Sequence, residues 1–203
     1  MPPFDADYFE RGEALGLSLY TDYRWLPELT IPLAHELVTT LGIGRDKTIL
    51  DFGCAKGFLV KALRLLHYEA HGFDISDYAL AAAPTEIRPY LHKQMRWDSP
   101  FSWTIAKDVL EHIPYDHIDA VLSAIRANTD CAFAIVPLGD GYRYNAPDYE
   151  RDVTHFIREG YAWWGDHFAD AGFEVTDIST DMPFIKRKRC TMSDAFFTLR
   201  SRR

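Results

Sequence analysis

Residues 48–59 constrain the fold more than any other stretch, because they combine an apolar strand, a glycine turn and the beginning of a helix. An apolar run that ends at Asp51 is typical of the carboxyl end of a buried parallel strand. Gly53 and Gly57 allow the backbone to bend sharply and to approach a ligand, since neither carries a Cβ atom. Ligands of open α/β sheets bind at this edge. The turn therefore predicts a nucleotide-type cofactor site, although two glycines also occur in βα turns that bind nothing.

The glycine spacing indicates which cofactor is bound. A dinucleotide fingerprint has glycines at the positions that Ala55 and Phe58 occupy here. The turn instead resembles motif I of class I S-adenosylmethionine (SAM)-dependent methyltransferases, D-x-G-C-G-x-G, with Ala55 where the family usually has glycine. The resemblance implies SAM as cofactor, held by the residues of the turn, which are Asp51, Gly53, Cys54, Ala55, Gly57 and Phe58.

An acidic residue follows the glycine turn at the expected distance. Asp74 ends a second apolar segment, 23 positions after Asp51. A carboxylate about 20 residues beyond such a turn can accept hydrogen bonds from both ribose hydroxyls. The alternative is that Asp74 only caps the next helix, a role that Ser76 could also fill. We expect Asp74 to bind the ribose and Ile75 to form one wall of the adenine slot.

A third landmark is the segment 103–113, which resembles the fourth strand of the same family and its D-V-L-E-H-like ending. The three landmarks occur in order, and the resemblance covers residues 45–136 well. It implies that Asp108, Val109 and His112 line the junction between methyl donor and acceptor, and that Asp98 receives the adenine amino group. It also implies a seven-stranded sheet of order 3-2-1-4-5-7-6 with the last strand antiparallel.

Strands and helices alternate along the chain, which predicts an α/β fold with a doubly wound, mostly parallel sheet (a Rossmann-like methyltransferase fold). Strands are expected at 48–52, 69–74, 89–93, 103–108, 131–136, 173–178 and 194–200. Helices are expected from Pro32 to Gly42, from about residue 58, and at 78–83, 115–127 and 161–171. We expect residues 1–42 to be a helical appendage or lid and residues 43–203 to be the SAM-binding domain, together one compact unit.

Composition limits the other possibilities. The chain has 203 residues, 47% of them hydrophobic, enough for a sizeable core. It has no apolar run of membrane-spanning length and no signal-like N-terminus. Its three cysteines have no metal-ligand spacing, so we expect reduced thiols, no metal site and a cytoplasmic location.

A net charge of −8 disfavours tight nucleic-acid binding. The local exception is the basic run 186–189 with Arg200, Arg202 and Arg203. It is expected to be a solvated connection and a charged tail, and the alternative is a patch that meets a phosphate-bearing substrate or partner.

Two histidines are candidate general bases, because a hydroxyl or amine acceptor must lose a proton during methylation. His112 follows the fourth strand. His155 lies in the long loop 137–159, and Asp152, three positions earlier, could orient its imidazole. The segment from Asp152 to Phe173 resembles the D-x-T-H…W…F…A-G-F pattern of small-molecule and sugar methyltransferases. A structural role is the alternative for either histidine.

The segment 20–25 is also ambiguous. Its aromatic residues either pack the appendage against the sheet or form a lid, with Tyr23 or Arg24 reaching the methionine carboxylate.

We therefore expect a SAM-dependent methyltransferase that acts on a small molecule, most plausibly at a hydroxyl of a sugar or natural-product-like acceptor. The alternatives are a protein or nucleic-acid methyltransferase, or a SAM-binding regulatory subunit without turnover. The sequence leaves the oligomeric state open.

Overall fold

The computed structural model describes residues 4–95, 97–186 and 189–202. Its centre is a seven-stranded sheet of order β3-β2-β1-β4-β5-β7-β6. Neighbours from β3 to β5 are parallel, whereas β7 runs antiparallel to both β5 and β6. The strands are β1 (Thr48–Phe52), β2 (Glu69–Phe73), β3 (Leu91–His92), β4 (Phe101–Lys107), β5 (Thr129–Pro137), β6 (Phe173–Ser179) and β7 (Asp194–Ser201). This confirms the predicted fold class and strand order.

Seven α-helices are described, and five of them follow the expected alternation with strands. They are α1 (Ala6–Glu10), α2 (Gly12–Leu15), α3 (Pro27–Thr40), α4 (Phe58–Leu65), α5 (Asp77–Ala81), α6 (Ile118–Ala127) and α7 (Tyr161–Asp170). Short 3-10 helices cover Arg88–Tyr90, Leu110–His112 and Pro147–Arg151. None of the helices in the described ranges is long and apolar enough to cross a membrane.

Two hydrophobic cores lie on opposite faces of the sheet, and the interior strand β5 contributes to both. Phe133 and Ile135 belong to the core that contains the buried residues of α3 and α4. Ala132, Ala134 and Val136 belong to the core that contains those of α6 and α7. This alternation follows from the two-residue period of a strand, and it fixes which side of the sheet each helix covers.

Several predicted boundaries were wrong, for identifiable reasons. Helix α3 begins at Pro27, five residues before the expected start, and carries Pro32 inside it. The third strand is reduced to two residues, Leu91 and His92. Strand β4 ends at Lys107 because Asp108 adopts a left-handed conformation, with φ of 52°. The N-terminal region, expected to be helical without defined bounds, contains α1 and α2 as well as α3.

The basic run 186–189 was expected to be solvated, and this expectation was wrong for its first residue, Lys186. Lys186 is not solvated, because only 13% of its side chain is exposed and it binds Asp108 and Asp194. Arg189 forms an ion pair with Asp148 at 2.9 Å. Arg187, Lys188 and Arg203, which were part of the same prediction, lie outside the described residues.

Candidate active site

The glycine turn between β1 and α4 has a backbone that only certain residues tolerate. Gly53 and Gly57 have φ of 78° and 70°, and Ala55 has φ of 48°. A Cβ atom on Gly53 would lie 2.3 Å from Cγ2 of Val109, so no larger side chain fits there. The backbone N–H groups of Gly53 and Cys54 donate to the carbonyl of Phe73, at 2.8 and 3.0 Å. These bonds hold the turn against the end of β2.

Asp74 fixes the same turn from the end of β2. Its Oδ2 accepts a hydrogen bond of 2.7 Å from the Ala55 N–H, and its Oδ1 accepts one of 2.8 Å from the Ser76 N–H. Ser76 is the N-cap of α5, accepting from the Ala79 N–H at 3.0 Å. Ser76, and not Asp74, therefore caps α5. Burial raises the pKa of Asp74, and its bonds to backbone N–H groups oppose this shift.

A first cavity, of about 100 Å³, opens between the glycine turn and the ends of β2 and β4. It is largely apolar, with two carboxylates, from Asp74 and Asp108. Its lining includes Phe52, Gly53, Ala55, Phe73, Asp74, Ile75, Asp108, Val109 and Ile113. A flat apolar slot beside a carboxylate suits a nucleoside, whose base is apolar on both faces and whose ribose carries two hydroxyls.

A second, larger cavity of about 500 Å³ continues from the first. The two share lining residues, namely Tyr8, Tyr20, Gly53, Ala55, Asp108 and His112, so they form one cleft. The larger cavity is also lined by Asp51, Cys54 and Phe58 from the glycine turn and its flanks, and by Lys107, Glu111 and His155. Burial, with the nearby Asp74 carboxylate, raises the pKa of Asp51 to about 7.

These residues fit SAM. Gly53 leaves space that a Cβ atom would fill, and Asp74 stands at the nucleoside end of the cleft. The turn residues, Asp74, Ile75 and Val109 would hold the adenosine part, and Asp51 lies where the methionine part would extend. Gly57 closes the turn against Leu91, whose side chain leaves no room for a Cβ atom there.

Asp98 does not join this group. It is exposed on the link before β4 and is absent from the described lining of both cavities. Its expected contact with the adenine amino group therefore stays a prediction, without support from the lining of either cavity.

Asp108 lies at the centre of the cleft and is paired with two cations, Lys107 and Lys186. Burial opposes its ionisation, but the two ammonium groups outweigh this effect and hold the pKa well below its usual range. Lys186 also donates to Oδ1 of Asp194, at 2.6 Å. Asp108 is therefore an ionised, positioned carboxylate and a poor proton acceptor.

His112 is held by a chain of hydrogen bonds that begins at Asp152. Oδ1 of Asp152 accepts from the Thr154 hydroxyl at 2.6 Å, and Oδ2 accepts from the Tyr8 hydroxyl at 2.8 Å. Because the Thr154 proton is directed to Asp152, the Thr154 oxygen accepts from Nδ1 of His112, at 2.6 Å. Burial, with the neighbouring His155, lowers the pKa of His112 to about 4.

His155 is positioned by a backbone carbonyl, which corrects the expectation that Asp152 orients it. Its Nδ1 donates to the carbonyl of Tyr149 at 2.8 Å, while its Nε2 lies 4.0 Å from Oδ2 of Asp152, too far for a hydrogen bond. The rings of His112 and His155 are 4.6 Å apart at their centroids. Burial lowers the pKa of His155, so both imidazoles are neutral at pH 7.

Sequence reasoning missed Glu111, although it stands beside His112 in the D-V-L-E-H-like segment. It is 2% exposed, and its Oε2 atom has no hydrogen-bond partner among the described residues. Burial and the Asp108 carboxylate raise its pKa well above the usual range. Thr154 and Tyr8, which link Asp152 to the cleft, were also missed because each acts through a contact with a distant part of the chain.

Residues of the N-terminal segment line the cleft and also pack against one another. Tyr8 and Phe9 are buried in an aromatic cluster with Tyr20 and Tyr23. Tyr20, Tyr23 and Arg24 line the larger cavity as well. Tyr20 and Tyr23 of segment 20–25 therefore both pack against the N-terminal helix α1 and line the larger cavity.

Comparison with known proteins identifies the family. A family model described as a methyltransferase domain matches residues 24–178, and the chain therefore belongs to the methyltransferase family. A search of curated proteins gave no significant match.

Solved structures of the same fold are numerous. One is a SAM-dependent methyltransferase from Archaeoglobus fulgidus, with a TM-score of 0.66 and 12% identity over 86% of this chain and 97% of that one. Another is magnesium protoporphyrin IX methyltransferase from Synechocystis with bound S-adenosylhomocysteine, with a TM-score of 0.61 and 14% identity over 85% and 86%. A third is the 1,6-didemethyltoxoflavin N1-methyltransferase of Burkholderia thailandensis, with a TM-score of 0.62 and 18% identity over 87% and 80%.

The family and the cofactor-shaped cleft together define the chain as a SAM-dependent methyltransferase. Its cofactor is S-adenosylmethionine.

Proposed function

We propose that this methyltransferase acts on a hydroxyl group of a small molecule, such as a sugar or a natural-product-like acceptor. The observation that carries the proposal is the position of His112 and His155 in the cavity that continues from the cofactor slot. A volume of about 500 Å³ is in the range of small-molecule sites. Two of the structural neighbours are named for small-molecule substrates, a porphyrin and a toxoflavin precursor.

The imidazoles are in the correct state to accept a proton. Each uses Nδ1 as a donor, which leaves Nε2 with its lone pair. Their lowered pKa values keep this lone pair free at neutral pH but also weaken each ring as a base, most strongly for His112 with a pKa of about 4, which favours His155 as the base. An amine acceptor also loses a proton, and one neighbour is an N-methyltransferase. Methylation at nitrogen is therefore the alternative to methylation at a hydroxyl.

When bound, SAM supplies a methyl group activated by its sulfonium. The residues of the cleft align the acceptor with that group, which is the main contribution to an in-line displacement. A C–O bond to the acceptor oxygen would form as the S–C bond of the cofactor breaks, and the electron pair of that bond would remain on sulfur. The hydroxyl proton passes to Nε2 of His155 or His112. The Asp152–Thr154 pair holds His112, and the Tyr149 carbonyl holds His155.

The charge distribution supports a small acceptor over a nucleic acid. The chain has a net charge of −8, and the two cations deepest in the cleft, Lys107 and Lys186, are neutralised by Asp108 and Asp194. We also propose a cytoplasmic location, which the three free cysteines support.

Incubation with methyl-labelled SAM tests the proposal. Fractionated metabolite pools, total RNA and a protein lysate serve as parallel acceptors. We expect label in a low-molecular-weight product, with acceptor-dependent formation of S-adenosylhomocysteine and an alkali-stable ether linkage. Label only in protein or RNA overturns the small-molecule proposal. Tight SAM binding with no acceptor-dependent turnover in any pool favours the non-catalytic subunit instead.

A further inference from the structure

We propose that Glu111, His112 and His155 bind one divalent transition-metal ion at the floor of the larger cavity. The spacing of the three cysteines in the sequence predicted no metal site, but the ligands proposed here are a glutamate and two histidines. The structure brings three ligand atoms, one from each residue, within 4.8 Å of one another. This group is separate from the SAM-binding turn but lies in the same cleft.

The backbone holds the two ligand-bearing segments together. Glu111 and His112 lie on the 3-10 helix after β4, and His155 lies 43 residues beyond His112 in the loop after β5. The N–H groups of Phe156 and Ile157 both donate to the Glu111 carbonyl, at 2.8 and 3.2 Å. The site is thus built by tertiary contacts that do not depend on an ion.

Both imidazoles present the nitrogen that a metal requires. Nδ1 of His155 is bound to the Tyr149 carbonyl, and Nδ1 of His112 is bound to the Thr154 hydroxyl. Hydrogen bonds of this kind fix the tautomer and orient metal-ligating histidines in general. The Nε2 lone pairs are therefore the coordinating positions, and Nε2 of His155 lies 4.0 Å from Oε1 of Glu111.

The buried carboxylate of Glu111 is the second, independent observation. Its Oε2 atom is fully buried without a hydrogen-bond partner among the described residues. Burying such an oxygen is unfavourable unless a cation or a donor compensates it. The nearby cation Lys186 is bound to Asp108 and Asp194 and lies over the ring of Tyr149. An ion between Glu111 and the histidines would compensate the carboxylate.

The ligand set indicates the class of ion. Two imidazoles and one carboxylate are the ligands of many catalytic zinc sites, which keep a further position open, whereas magnesium and calcium prefer oxygen ligands alone. Three atoms at most 4.8 Å apart need to move inward by only about 0.7 Å each to reach zinc-ligand distances. Zinc, cobalt(II) or manganese(II) therefore fits better than magnesium.

The role of the ion rests on the proposed function. Its open position faces the larger cavity, where an acceptor hydroxyl could coordinate and lose its proton more easily. The imidazoles would then hold the ion instead of the proton, and the proton would leave to solvent. The binding of the ion itself requires neither SAM nor an acceptor.

The test is a metal titration of the full chain after removal of metals with a chelator. Cobalt(II) is added without SAM or acceptor, and its visible absorption is recorded, with zinc binding measured by calorimetry. We expect one ion per chain. Glu111→Gln and His155→Ala should each weaken binding at least tenfold, whereas His71→Gln, which changes a histidine of β2 paired with His92, should not.

Three results would overturn the proposal. The first is no stoichiometric binding, and the second is wild-type affinity for the ion in both Glu111→Gln and His155→Ala. The third is binding that disappears when Cys54, Cys131 and Cys190 are replaced by serine. Circular dichroism and SAM titration confirm that each variant is folded. Failure of the metal site and failure of the proposed function give different results. If an ion binds through Glu111, His112 and His155 in a protein that shows no acceptor turnover, the metal site stands and the proposed function does not. Full turnover in chelator by a chain that binds no ion leaves only the proposed function standing.

Discussion

The carboxylate of Asp74 accepts a hydrogen bond from the backbone N–H of Ala55 at 2.7 Å, so the end of β2 and the glycine turn after β1 are locked together. Ala55 has φ of 48°, a left-handed conformation that costs an alanine about 1 kcal/mol. The bond to Asp74 helps to hold this conformation. Asp74 thus both shapes the cofactor turn and lines the slot next to it.

Asp74→Ala should weaken SAM binding by one to two orders of magnitude. The variant loses charge-assisted hydrogen bonds worth roughly 1.5–3 kcal/mol and releases the Ala55 N–H. Calorimetric titration with SAM measures the effect. Ser76→Ala is the control, because it removes the cap of α5 and leaves the Asp74 carboxylate in place. A dissociation constant for Asp74→Ala equal to that of wild type removes Asp74 from the site.

Gly53→Ala should destabilise the fold and abolish SAM binding. Its Cβ atom would lie 2.3 Å from Cγ2 of Val109, in addition to the left-handed φ of 78°. Gly16→Ala is a matched control, since Gly16 has a similar φ of 66° but no neighbour within 4 Å. We expect Gly16→Ala to lose about 1–2 kcal/mol of stability, the backbone term alone, and Gly53→Ala to lose more. Chemical denaturation gives both values, and equal losses would show that the Val109 contact is irrelevant.

His155→Ala should lower turnover by roughly 10²–10⁴-fold while SAM affinity stays close to wild type, if His155 removes the acceptor proton. The base must be unprotonated, so the wild-type rate rises with pH and then levels off. Burial lowers the pKa of both candidate histidines, which places the inflection below the ordinary value of about 6.5. Steady-state rates between pH 4.5 and 8 test this. Loss of turnover in His112→Ala but not in His155→Ala assigns the base to His112, and no loss in either leaves positioning alone.

The unfolding free energy should fall as the pH drops from about 6.5 towards 4. His112 has a folded-state pKa of about 4, lower than that of the unfolded chain, so the unfolded state binds the extra proton in this window. Stability is therefore present above the unfolded pKa and lost as the pH falls to the folded one, by roughly 1–3 kcal/mol. Urea denaturation at pH 7 and pH 4.5 measures it. The slope should decrease in His112→Gln and persist in His35→Gln, which changes an exposed histidine of α3; an unchanged slope in His112→Gln would assign the loss to other groups.

Lys56→Met should loosen the N-terminal segment and weaken SAM binding. Lys56 is 7% exposed, and its ammonium group binds both Glu10 and the carbonyl of Tyr23, which join α1 and the segment 20–25 to the glycine turn. Methionine keeps the length of the side chain but removes these bonds. Limited proteolysis should cut before residue 27 faster in the variant, and SAM should slow the cutting in wild type. Equal cutting rates with and without SAM would argue against a lid.

The fold could be predicted because it depends on local patterns. The glycine turn, the acid after β2 and the alternation of strands and helices gave the class of the sheet and the edge that binds the cofactor. The sequence placed β3 within 89–93 and a helical segment before residue 43, but it did not give the bounds of β3, α1 and α2, since short elements form through packing against neighbours and carry little pattern of their own.

The sequence by itself determined the cofactor turn, because left-handed glycines and a carboxylate at fixed spacing are a local requirement of backbone geometry. It also named His112 and His155 but could not assign their partners. Only the tertiary structure decided that Thr154 holds one ring and the Tyr149 carbonyl the other, and that the buried Glu111 lies beside both rings. The His112–Thr154 bond and the bonds from Phe156 and Ile157 to the Glu111 carbonyl join residues more than forty positions apart, so they depend on how the loop after β5 packs against the end of β4.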